Sequence, residues 1–193
     1  VVATTDNASD DTIVSCCRDL GVDVFRGSEA DVLSRFKDAA REFDADIVTR
    51  LTADCPMLDP ALIDHTIETY LTTDCDYASN CKQRTYPDGL DVEVFSSDAL
   101  ERAAREASEP WLREHVTPYV RGVAGRPSGG FRTVDVLHDA DFSHIRWTVD
   151  TSEDMKIARR YFARLGDHFN WQEALALATS QPDLLVISDR YIR

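Results

Sequence analysis

Apolar positions along this chain switch repeatedly between the two-residue period of a strand and the three-to-four-residue period of a helix. The first segment, 1–5, reads as a strand. Ile13, Cys17 and Leu20 then recur at helical spacing and predict a helix near 10–20. A short strand at 22–25 follows. After it comes a helix near 29–43, with Val32, Leu33, Phe36, Ala39, Ala40 and Phe43 on one face. The apolar run 46–53 predicts a strand that stops at Asp54. Asp59 before Pro60 supplies an N-cap and a first-turn proline, so the next helix opens there and runs to about 71. A strand near 75–79, a Pro/Gly turn at 84–89 and an alternating strand at 90–95 come next. Helices near 97–107 and 111–123, a loop at 125–130 and a strand near 131–137 follow. A further strand ending at Asp150 and helices near 152–164 and 170–178 complete the pattern. Strands alternating with helices predict an α/β fold with a mostly parallel sheet.

Two aspartates stand where apolar runs stop, and in an open α/β sheet ligands sit beyond the carboxyl ends of strands. Asp54 ends one run and Asp150 the other, about a hundred residues later. Delivered to one cleft, the pair can share a hard divalent cation, which in turn holds phosphates. Asp59 already serves as the helix cap, so Asp54 is not required for that task. Asp150 has two readings. It can cap the following helix with Glu153, or Thr151 and Asp154 can form the cap and leave Asp150 facing the cleft.

The block Arg84, Thr85, Tyr86, Pro87, Asp88, Gly89, Leu90, Asp91, Val92 and Glu93 gathers an arginine, a tyrosine and three acids around a turn. Arginine can fork onto a carboxylate or phosphate, and acids accept bonds from sugar hydroxyls. Asp91 and Glu93 share one strand face by the two-residue period. The alternative is a solvated hairpin. His115, in Arg113-Glu114-His115, reads as either a structural histidine or a catalytic one. Arg26, Gly27 and Ser28 lie between a strand and a helix, an arrangement that can bind an anion or nucleotide. Arg50, inside an apolar run, requires an acidic partner if buried.

A net charge of −14 argues against general nucleic-acid binding and against docking on anionic membranes. No apolar stretch reaches the roughly 18 to 20 residues of a membrane span. Five cysteines without metal-binding spacing fit free thiols in a reducing, cytoplasmic compartment.

Five strings carry a specific likeness that runs through nearly the whole chain: 24–29, 52–56, 85–95, 113–119 and 144–151. In them the chain resembles the cytidylyltransferase family of spore-coat polysaccharide biosynthesis proteins and relatives of acylneuraminate cytidylyltransferases. The resemblance implies a three-layer, mostly parallel nucleotide-diphospho-sugar transferase fold (glycosyltransferase-A-like). It implies attack by a hydroxyl of a sugar, a keto-sugar acid, at the α-phosphate of CTP. Asp54 and Asp150 would hold Mg2+. The 84–93 block, with Arg84, Tyr86, Gly89 and Glu93, would form the sugar pocket, and His115 and Arg146 would add substrate contacts. Arg26, Gly27 and Ser28 would lie near the nucleotide. Asp88, Asp91 or a metal-activated hydroxyl would supply the base. The family often dimerises, which allows a homodimer, although nothing in the sequence reports a dimer interface.

Relatives normally open with a strand and the loop Ala-Arg-x-Gly-Ser-x-Arg-Leu-Pro-Gly-Lys, which wraps the triphosphate. No such loop occurs here. The expectation is therefore one nucleotidyltransferase-like domain, 1–193, a fragment lacking its first strand and nucleotide-binding loop, which alone binds CTP poorly and is unstable while the full-length parent is active. That strand would lie between the strand at 1–5 and the one ending at Asp54. The competing readings are a glycosyltransferase that consumes a sugar nucleotide and a non-catalytic sugar- or nucleotide-binding domain.

Overall fold

The computed structural model describes residues 1–123 and 129–187, so most of the loop read at 125–130 lies outside the described residues. The fold is mixed α/β. In chain order its elements are β1 (Val2–Thr5), α1 (Asp11–Asp19), β2 (Val24–Gly27), α2 (Val32–Glu42), β3 (Ile47–Arg50), α3 (Pro60–Thr72), β4 (Tyr77–Ser79) and β5 (Glu93–Ser96). Then follow α4 (Ser97–Glu106), α5 (Pro110–His115), α6 (Pro118–Arg121), β6 (Thr133–Asp135), α7 (Ser152–Leu165) and α8 (Trp171–Ser180), with 3₁₀ turns at Ala8–Asp10 and Pro182–Leu184. β1 and β2 form a parallel pair, Val2 opposite Val24 and Thr5 opposite Gly27. The remaining strands form a sheet of order β3-β5-β4-β6, so β1 and β3 belong to different sheets.

The chain divides into two compact units, 1–48 with 95–133, and 49–94 with 134 onward. In the first, α2 packs on α4 and α5 over buried Leu33, Leu100, Ala103 and Leu112. Arg113 ties these helices together with all its donors. Its Nε and Nη2 reach Asp31 Oδ2 at 2.9 and 2.7 Å, and Nη2 also reaches Ser34 Oγ at 2.8 Å. Nη1 donates to the carbonyls of Ala104 and Ala107. Asp31 is meanwhile the N-cap of α2.

The second unit has its core among Met57, Leu62, Leu90, Val92, Val94, Ile145, Trp147, Tyr161 and Trp171. Asp59, 3% exposed, joins two helices there. Oδ1 accepts the Ala61 and Leu62 N–H groups at the start of α3, and Oδ2 accepts the Trp171 N–H at the start of α8, at 2.9 Å. Capping boxes start α7 (Thr151 with Asp154) and α8 (Asn170 with Glu173). Among the described residues no helix is long and apolar enough to cross a membrane.

Four expected elements differ. The helix expected at 111–123 is two helices, because Val116 sits at φ +69°, ψ −62°, outside the helical region, and Pro118 has no N–H to continue the ladder. Thr117 N–H bonds to His115 O at 2.8 Å across Val116, a γ-turn that a β-branched residue adopts only under strain. The strand expected at 90–95 starts at Glu93, because the Asn80 side chain stands in for a neighbouring strand, donating to Leu90 O and accepting from Val92 N. The strand expected to end at Asp150 is an extended segment with isolated bridges at Ile145 and Arg146, because its partners are loops rather than a strand. β3 likewise ends at Arg50, and Asp54 lies in a turn beyond it.

Candidate active site

The extended segment 145–150 organises the second unit's polar residues. On one edge, Trp147 N–H donates to Asp88 O at 2.7 Å and Val149 N–H to Asp54 O at 2.8 Å, while Asp88 N–H donates back to Ile145 O at 2.8 Å. Arg146 N–H points the other way, to Val186 O. Two loops distant in sequence are thereby placed side by side along one strand edge, with Asp150 next in the chain after Val149.

Gly89 makes the Asp88 contact sterically feasible. Its φ is +107°, and a Cβ there would lie 2.8 Å from the Trp147 carbonyl carbon and 2.9 Å from Thr148 N. Arg84 forks onto Asp91, with Nη2–Oδ2 at 2.7 Å, and its Nη1 lies 3.2 Å from Asp88 Oδ1. Burial alone would lower the Arg84 pKa, but the bonds and charges of Asp91 and Asp88 outweigh it and raise it. Arg84 is therefore a fixed cation beneath two acids.

Asp54 is exposed, and its Oδ1 faces the Cys55 thiol at 3.7 Å. Burial first, then the charges of Asp54 and Asp91, push the Cys55 thiol up to about 12, against a bond from Thr52, so it stays protonated near neutrality. Asp150 does not cap α7. Thr151 and Asp154 do, and Asp150 Oδ2 instead accepts from Arg146 Nη2 and, at 3.2 Å, from Thr148 Oγ1. Its side chain is 58% exposed.

Among the described residues no three His, Cys, Asp or Glu side chains converge as a metal-binding group. Two carboxylates nevertheless suit Mg2+, which keeps waters and takes substrate phosphates beside one or two protein carboxylates. Among the described residues Asp54 Oδ2 and Asp150 Oδ1 accept no hydrogen bond, so each acid offers an open oxygen while its other is engaged.

The other candidates are placed differently. Tyr86 lies in the core, edge-to-face with His138 at 5.5 Å and Trp171 at 5.6 Å between ring centroids. Glu93 is 3% exposed, paired with Arg50 and accepting from Tyr77 Oη at 2.7 Å, so it is the acid Arg50 requires. Arg146 directs both Nη atoms at Asp154 and Asp150.

In the first unit, Arg26 holds the turn after β1, bonding Thr5 O at 2.9 Å, Asn7 O at 2.7 Å and Asp11 Oδ1 at 2.7 Å. Gly27 lets the Arg35 stem pass, since a Cβ would meet Arg35 Cγ at 3.2 Å. Ser28 Oγ accepts from Asp31 N, and His115 is exposed at the strained turn. The first helical turns of α2 and α7 also hold residues that sequence reasoning passed over or read only as caps: Asp31, the partner of Arg113, and Asp154, the partner of Arg146. Both sit at capping positions, and nothing in the local pattern announces the arginines they bond, 82 residues away for Asp31 and 8 for Asp154.

Comparison with known proteins adds three findings. A family model described as cytidylyltransferase matches residues 1–163. Among curated proteins, the chain is 39% identical over 173 residues to an uncharacterized protein of Methanocaldococcus jannaschii, covering 88% of this chain and 66% of that one. It is 31% identical over 186 residues to the spore coat polysaccharide biosynthesis protein SpsF of Bacillus subtilis, covering 95% and 75%. Thus it spans about two-thirds to three-quarters of their lengths. Among solved structures, a cytidylyltransferase from Leptospira borgpetersenii matches with TM-score 0.87 at 30% identity, over 94% of this chain and 76% of that chain. A molybdopterin-guanine dinucleotide biosynthesis protein A from Archaeoglobus fulgidus shares the fold at TM-score 0.51 and 16% identity, over 80% and 75%.

Proposed function

The chain belongs to the cytidylyltransferase family, and from that premise we propose that it transfers CMP from CTP to a sugar, a keto-sugar acid, in surface polysaccharide biosynthesis. The observation that carries this reading is the bond from Val149 N to Asp54 O at 2.8 Å, which sets Asp54 beside the segment ending in Asp150. The reading includes a three-layer, mostly parallel nucleotide-diphospho-sugar transferase fold, and a cytoplasmic homodimer, in keeping with the free thiols.

The sugar hydroxyl oxygen forms a bond to the α-phosphorus, the bond from that phosphorus to the bridging oxygen breaks, and pyrophosphate leaves. The hydroxyl proton passes to a carboxylate of the 88–91 wall, Asp88 or Asp91. Arg84 holds both acids in place from beneath. Asp54 and Asp150 would hold Mg2+ through their open oxygens. When bound, that ion neutralises charge on the α-phosphate and aligns it. Most of the acceleration then comes from positioning and electrostatics.

Pyrophosphate release from CTP and a nine-carbon keto-sugar acid tests the reading. Release should require both substrates, and Asp54→Asn and Asp150→Asn should each lower it by a hundredfold or more, on the order of 3 kcal/mol of barrier, without loss of folded structure by circular dichroism. No release by a form that also carries the Ala-Arg-x-Gly-Ser-x-Arg-Leu-Pro-Gly-Lys loop of its relatives, the behaviour of a glycosyltransferase, overturns the proposal.

A further inference from the structure

Asp150 is the more exposed of the groups around it, yet what lies behind it is well buried. The side chains of Arg146 and Asp154 are 19% and 11% exposed against 58% for Asp150. Arg146 Nη1 bonds Asp154 Oδ1 at 2.9 Å, and Nη2 spans Asp154 Oδ2 at 3.3 Å and Asp150 Oδ2. Asp154 Oδ2 also accepts the Asp150 N–H at 3.1 Å and the Thr151 N–H at 2.8 Å. Asp154 therefore controls Asp150 twice, once through its backbone and once through the guanidinium.

Capping α7 accounts for only half of this. The cap uses Asp154 Oδ2, whereas Oδ1 bonds Arg146 alone among the described residues. A helix end does not need that second oxygen, nor does it need an arginine with both Nη atoms directed at two acids.

We propose that Arg146 and Asp154 are positioning residues that hold Asp150 with one carboxylate oxygen engaged and the other presented to a divalent cation. The inference rests on the reading of Asp54 and Asp150 as metal ligands, and it takes Arg146 away from substrate contact. Outer residues that orient a metal-binding carboxylate commonly govern metal affinity by about 10- to 100-fold. Lysine does not reproduce the guanidinium here, because its single nitrogen cannot supply the two separate Nη donors that Arg146 directs at Asp154 and Asp150.

Titration with Mn2+ alone, free ion followed by electron paramagnetic resonance, reads the site without turnover. Arg146→Lys and Asp154→Glu keep the formal charge, and each should weaken Mn2+ binding about tenfold or more. Asn170→Ala, which removes the cap of α8, should lower the melting temperature and leave Mn2+ affinity unchanged. Should Asp150→Asn weaken binding while both charge-conserving variants match the unmodified protein, the positioning role is wrong and the metal reading survives. Should Asp54→Asn and Asp150→Asn also match it, the metal reading itself fails and takes this inference with it.

Discussion

Replacing Asp59 with alanine should destabilise the second unit more than any ordinary cap loss. A cap removed from one helix costs about 0.5–2 kcal/mol. Asp59 does more, because its second oxygen is the acceptor for the Trp171 N–H, 112 residues away and at the buried start of α8. The Asn170 cap of α8 bonds Glu173 N, not Trp171 N, and so cannot take over. A buried N–H left without an acceptor costs about 1–3 kcal/mol. Together the losses come to about 3 kcal/mol, a large share of the roughly 5–15 kcal/mol that stabilises a domain. For a chain of this size that is about 6–12 °C in melting temperature. Asp59→Asn separates the parts. Its amide oxygen can still cap α3, but its NH2 group would face the Trp171 N–H, donor against donor. Thermal and urea unfolding should therefore rank the unmodified protein above Asn, and Asn above Ala. Asn equal to the unmodified protein, or Ala within about 2 °C of it, would refute the two-helix role.

Three further outcomes follow from the same contacts. Burial alone would raise the Asp31 carboxyl, but bonds from Arg113 and Ser34 outweigh it and hold the pKa below its usual value. Its contribution is therefore present above the unfolded value of about 3.9 and fades as pH falls through the lower folded one; Arg113→Lys should shrink that acid-side slope in pH-dependent urea unfolding. Gly89→Ala should lower pyrophosphate release at least tenfold, since its methyl group meets backbone at 2.8 Å and must push the 84–91 loop off the extended segment; a variant with full activity would deny that the contact matters. In the native protein a maleimide should label exposed Cys16 and leave Cys55 and Cys81 unmodified at pH 8, because burial raises both of their pKa values; peptide mass mapping reads the result.

What the pattern of residues disclosed depended on how local the cause was. The Asp59-Pro60 start of α3 needs only neighbours in sequence, and it forms as its residues dictate. The same holds for the Thr151–Asp154 cap, one of two local alternatives for α7. Alternation put Asp91 and Glu93 on one face but could not show that the face passes from solvent to core between them. Asp91 stays half-buried against Arg84, and Glu93 is enclosed with Arg50 and Tyr77. Tyr86 reads as a loop aromatic, yet His138 and Trp171, distant in sequence, draw it inside. Pro118 marked a boundary within the apparent helix at 111–123, but the spacing of apolar residues continued across it. The run ending in Asp150 shows the limit most clearly, because an apolar extended segment has the same pattern whether its edges meet strands or loops.

That last ambiguity bears on how the site is built. An extended chain presents every second N–H on the same edge, with a repeat of roughly 6–7 Å. Trp147 and Val149 use two successive positions on one edge to hold Asp88 and Asp54 by their backbone carbonyls, while Arg146 faces the opposite edge and binds Val186. The spacing between the two acids is thus set by the backbone and not by their own side chains. This leaves the Asp54 carboxylate clear of the bond that locates it, whereas the Asp88 carboxylate is held in addition by Arg84. Asp150 cannot be held in the same way, since it follows the last of these bonds, and it is the acid with a guanidinium and a helix cap behind it. Chemistry that depends on charge placed at fixed distances needs both devices. A change of side chain at 149 leaves the backbone donors of the first in place, whereas a one-residue shift of register would turn both N–H groups to the wrong edge.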